Sequence, residues 1–137
     1  MTFRRGDILI WNFHFAWCWV LAGLLAGAVI GLFFADEQWL GGYGSWRRRM
    51  LRLAHVAFFG TAGLNLALAL SLVHVGDAAE AWARVASWAL ALGAVLMPAV
   101  CGLAAWRKPM RQLFFLPVGS LLVGVGAMAA LVLRGGG

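Results

Sequence analysis

Four stretches of this chain carry no charged residue, and they constrain its fold more than any other feature: Ile8 to Ala35, Leu53 to Gly76, Val85 to Trp106 and Gln112 to Leu133. A helix needs about 20 predominantly apolar residues to span the hydrocarbon of a bilayer, and each stretch supplies them. Composition agrees, since 64% of the 137 residues are apolar and 12% are charged, against about 25% charged in an ordinary soluble domain. The expected fold class is an all-α membrane protein: a four-transmembrane-helix bundle of up-down topology, with short loops and no soluble domain. Residues 1–137 are expected to form one integral membrane domain, with spans over 10–35, 53–76, 84–106 and 112–133.

Arg4 and Arg5 precede the first apolar run as they would in a secretory signal. The run is long for a signal, and Asp36, Glu37 and Gln38 after it offer no small-x-small cleavage site, so it reads as a retained span. Trp11, Trp17, Trp19 and Trp82 fall near one expected membrane boundary, and Trp39, Trp46 and Trp106 near the other, where amphipathic rings settle between headgroups and acyl chains. Orientation follows from the cations. Arg4, Arg5, Arg84 and Arg134 lie on one side, and Arg47, Arg48, Arg49, Arg52, Arg107, Lys108 and Arg111 on the other. The richer side is expected to be cytoplasmic, which puts both termini on the outer, periplasmic side of a bacterial inner membrane. The net charge of +6 sits in short clusters beside the spans, with no basic domain behind them. Arg47, Arg48, Arg49 and Arg52 are therefore expected to meet anionic lipid, at about 1 kcal/mol per cation, and nucleic acid is not an expected partner.

Gly23, Gly27 and Gly31 recur every fourth residue in the first span, lining one face with residues small enough for close backbone approach. That face is expected to be a helix-packing seam. Asn65, in the second span, lies one turn from Thr61 on a shared face. A midplane amide turned to lipid is unfavourable and ordinarily finds a partner across helices, so this face is expected to point inward. Pro98 and Pro117 remove backbone donors from the third and fourth spans.

All five carboxylates, Asp7, Asp36, Glu37, Asp77 and Glu80, lie outside the spans. Proton-coupled exporters commonly place an acid inside the membrane, so that class loses support. No residue is read as catalytic. His14 opens the first span and His74 closes the second, so both lie toward one face and are candidates to ligate a b-type haem. His55 lies on the far side, about 28 Å from His74 along a helix. It is a further cofactor candidate, or a metal ligand with Met97 and Cys101, which are one turn apart. Cys18 and Cys101 fall in opposite halves of the membrane and form no disulfide pair.

The functional expectation is a small integral membrane subunit, accessory or anchoring, of a larger complex with other membrane protein subunits. A respiratory or photosynthetic electron-transfer assembly, with haem b a possible cofactor, is the expected setting. The alternative is a small oligomeric channel or carrier for a small solute.

Overall fold

The computed structural model describes residues 4–75 and 80–135. Four helices dominate it: α1 (Arg5–Leu32), α2 (Trp46–Ser71), α3 (Glu80–Trp106) and α4 (Phe115–Gly135). Short 3-10 segments, Trp39–Gly41 and Lys108–Phe114, precede α2 and α4. The described residues contain no strand. Each of the four helices is long and apolar enough to cross a membrane. The expected loop after the second span falls on residues 76–79, outside the described residues.

Local chemistry sets the helix starts. Asp7 accepts the Arg4 backbone N–H at 3.1 Å across the first turn of α1, where a carboxylate also favours the positive end of the helix dipole. Ser45 caps α2, its hydroxyl accepting the Arg48 N–H at 3.2 Å, which satisfies one of the donors that a helix start leaves unpaired. That cap lets α2 begin upstream of the apolar run, with Trp46 and three arginines in its opening turns. Pro98 is buried within a continuous α3. Pro117 falls in the first turn of α4, where no intrahelical donor is needed, so it ends up compatible with the helix it opens.

The connection from α1 to α2 is built around a single cation. Arg48 is 3% exposed. Its guanidinium donates to the carbonyls of Asp36 (2.8 Å), Glu37 (3.3 Å) and Phe34 (3.4 Å). It also lies over the Phe34 and Trp39 rings at 5.3 and 5.4 Å. In the same loop Leu40, Gly41 and Gly42 have φ of 55°, 89° and 89°. Glycine carries this left-handed backbone without a Cβ clash, and Leu40 adopts it within the loop that Arg48 braces.

Helix α3 is the hub. It packs along both α2 and α4, α1 packs chiefly on α2, and α1 and α4 are not among the helix pairs that pack extensively. The apolar core joins Ile8 near the start of α1, Leu68 and Leu72 near the end of α2, Ala86 and Leu90 in the first half of α3, and Ala127 and Leu131 near the end of α4. Farther away, the Trp46 indole donates to the Ala104 carbonyl at 2.7 Å, tying the start of α2 to the end of α3.

Between α3 and α4 the packing is reciprocal. The Leu121 side chain lies 2.6 Å from where a Cβ on Gly93 would stand, and the Leu90 side chain 2.7 Å from one on Gly124. Each leucine thus fills the space left by a glycine on the opposite helix. Gly93→Ala and Gly124→Ala are expected to destabilise the protein by about 1–3 kcal/mol, the usual cost of overpacking. Gly126→Ala, where an added Cβ meets nothing within 4 Å, is expected to be neutral or stabilising by up to about 1 kcal/mol through helix propensity. Unfolding of each variant in mixed detergent micelles measures the difference.

Candidate functional site: a buried polar layer

Three of the buried polar side chains lie at similar depth along their helices. Asn12, Asn65 and Ser87 are 0%, 0% and 5% exposed. At 1.5 Å per residue they lie about 9–11 Å along their helices from the Arg5, Ser71 and Glu80 ends, the ends that meet in the apolar core. Asn12 makes the interhelical contact: its amide nitrogen donates to Ser87 Oγ of α3 at 2.7 Å and to the Ile8 carbonyl in its own helix at 2.9 Å. Asn65 turns its amide nitrogen back to the Thr61 carbonyl at 2.9 Å, and Thr61 Oγ1 donates to the Ala57 carbonyl at 2.7 Å.

Bonds to backbone carbonyls fix both amide orientations, since only the NH2 group can donate to them. The oxygens are then committed to the opposite direction. Asn12 Oδ1 and Asn65 Oδ1 are both buried and accept no hydrogen bond. Leaving such an acceptor unpaired costs about 1–3 kcal/mol. Chemically, the layer offers two carbonyl-type acceptors to a hydrogen-bond donor, and it holds no nucleophile paired with a base.

Asn65 and Thr61 were singled out by sequence, whereas Asn12 and Ser87 were not. The signal that could have found the pair was their matched distance from the starts of α1 and α3, in a chain where those starts share one end.

The glycine row on α1 divides. Gly23 lies against Phe58 and Phe59 of α2, and Gly27 receives the edge of the His55 ring, but Gly31 has no neighbour within 4 Å of an added Cβ. His55 is thereby turned into the α1–α2 seam, edge-on to Phe59 with centroids 5.2 Å apart. Cys101 is fully buried in α3, and Met97 is half-buried one turn before it. Among the described residues no three His, Cys, Asp or Glu side chains group to hold a metal ion.

His14 and His74 are both exposed. The Nδ1 of each faces the carbonyl one turn back in its own chain, Ile10 at 2.7 Å and Leu70 at 3.3 Å, and the ring contact that His14 makes is with Phe13. Of the four arginines expected at the lipid surface, three are exposed or half-exposed: Arg47 over Trp106, Arg49 over Trp46 and Arg52 over Tyr43. Arg48 is instead occupied inside the loop. The chain matches no known protein family, no curated protein and no solved structure.

The polar layer makes opposite predictions for two of its members. Ser87→Ala removes the interhelical acceptor and is expected to cost about 0.6–2 kcal/mol. Asn65→Leu removes a buried oxygen that has no donor and replaces the side chain with one of similar size, so it is expected to be neutral or stabilising. Reversible unfolding in detergent distinguishes the two, and equal losses would contradict this account of the layer.

Proposed function

We propose that this chain is a small integral membrane subunit, accessory or anchoring, that acts by packing against other membrane proteins. In this reading its helices run in alternating directions across a bacterial inner membrane, with both termini on the periplasmic side, and Arg47, Arg49 and Arg52 meet anionic headgroups on the other. The observation that carries the proposal is the outer face of α2. Leu53, Val56 and Leu70 are exposed there, and between them Gly60 and Gly63 are also exposed, with no neighbour within 4 Å of an added Cβ. Lipid tails are as apolar as leucine, so helices associate in a membrane through close packing at small residues. Unlike Gly23 and Gly27, these two glycines serve no contact within the chain.

Helix α1 adds support. Only 11% of its most apolar stretch is buried, against 50% for α3, which leaves a second helical face for neighbours. The placement of the three histidines gives no support to the narrower electron-transfer and haem b setting, so the proposal stops at the subunit. A second reading, a small oligomeric channel or carrier, draws on the two unpaired amide oxygens of Asn12 and Asn65.

Because the Gly60 and Gly63 positions are open, Gly60→Leu and Gly63→Leu are expected to leave the fold intact while removing the protein from its native assembly. Native gel electrophoresis of mildly extracted membranes, with mass spectrometry of each band, reads the outcome. Retention of the wild-type band by both variants counts against the subunit reading. Loss of solute flux in Asn65→Leu, with assembly unchanged, is the result expected of the channel or carrier instead.

A further inference from the structure

A groove of about 600 Å³ runs along the outside of the bundle where α3 meets α4. Its floor is a stripe of α3 from Arg84 through Trp88 to Leu92, and its wall is Gly119, Ser120 and Val123 of α4. It lies on a side of α3 where α1 and α4 do not pack extensively on one another. Trp88 is 65% exposed there, with its ring 5.8 Å from Trp11 of α1.

The groove is apolar along its length and cationic at one end. Ser120 Oγ donates to the Ala89 carbonyl at 2.7 Å, so the wall's hydroxyl is already spent inside the protein. Gly119 presents no side chain, and a Cβ added to it would meet nothing within 4 Å, which keeps the wall open. Arg84 stands at the mouth, exposed, and makes no hydrogen bond, ion pair or ring contact among the described residues. Arg134, at the same end of the bundle, is placed over the Trp82 ring at 5.1 Å.

We propose that this groove holds the hydrocarbon of an anionic phospholipid whose phosphate pairs with Arg84. The length of the groove and the cation at its end suit a lipid. From Arg84 to Leu92 the floor extends about 12 Å, most of the roughly 15 Å depth of one leaflet's hydrocarbon. The charge selects the headgroup: a guanidinium with no partner among the described residues, placed where the apolar floor begins, pairs bidentately with phosphate and is complemented by a lipid of net negative charge.

The test is native mass spectrometry of the full chain in mild detergent, titrated with phosphatidylglycerol and, separately, with phosphatidylcholine. One phosphatidylglycerol is expected to bind more tightly than phosphatidylcholine. Arg84→Gln is expected to weaken phosphatidylglycerol by about fivefold, the loss of one cation's attraction to an anionic lipid, and to weaken phosphatidylcholine, whose choline offsets its phosphate charge, by less. Val123→Trp, which fills the groove and keeps the cation, is expected to weaken both lipids. Arg134→Gln serves as the surface-charge control and is expected to change neither. Equal affinity for the two lipids, or an equal loss in Arg84→Gln and Arg134→Gln, would overturn the proposal. So would a crosslinker placed by Val123→Cys that joins the groove to another protein or a second copy in native membranes, since protein and not lipid would then cover it.

Discussion

Close approach of backbones at glycine is the constraint on which the rest of the structure depends. The four helices are long and apolar enough to cross a membrane, where apolar side chains gain nothing by leaving lipid for one another and helices are held by van der Waals fit and a few polar contacts. Gly23 and Gly27 admit Phe58, Phe59 and His55, and Gly93 and Gly124 admit Leu121 and Leu90. The first set joins α1 to α2, the second joins α3 to α4, and both rest on the absence of a Cβ. Dispersion falls off steeply with a gap of even half an ångström, which is why these positions decide the helix spacing.

Polar contacts then fix what close packing leaves free, namely rotation and register. Asn12 to Ser87 sets α1 against α3 at one end, and Trp46 to the Ala104 carbonyl sets α2 against α3 farther along. Arg48 performs a related task in the α1–α2 loop, where three backbone carbonyls and two aromatic faces surround its guanidinium. The two terminal nitrogens of this enclosed charge donate to carbonyls while its buried Nε has no partner, and the bonds to neutral carbonyls specify one loop conformation.

Much of the architecture was legible in the sequence because charge and hydropathy report helix length directly. Four uncharged stretches became four long helices, and the inward direction of Asn65 followed from the cost of exposing an amide to hydrocarbon. What could not be read was pairing. Gly31 continues the spacing of Gly23 and Gly27, yet it has no neighbour, because spacing along one helix does not say how far its partner follows it. Gly93 and Gly124 stand as isolated glycines in sequence, and only the fold brings a leucine over each. Arg48 sits among arginines of the same type, and nothing local distinguishes the one that turns into the loop from those that remain outside. The usual guide to inward faces, apolar periodicity, is weak here since the outward faces are equally apolar.

The uneven distribution of contacts around α3 explains where binding surfaces can arise. A closed ring of four helices would seal α1 against α4 and cover the side of α3 that carries Trp88 and Leu92. Here α1 is committed to α2 through Gly23 and Gly27 and to α3 through Asn12, while α4 is committed to α3 through two leucine-glycine pairs. These contacts leave α1 and α4 without an extensive shared seam. The uncovered strip of α3 is thus a consequence of the same small-residue packing that holds the bundle together. Its cationic end follows from the position of Arg84 where the apolar run of α3 begins. The outer face of α2 arises differently: Gly60 and Gly63 lie away from the seams, and their smallness answers no contact inside the chain. Packing among the described residues therefore accounts for the glycines of the seams and not for those on α2.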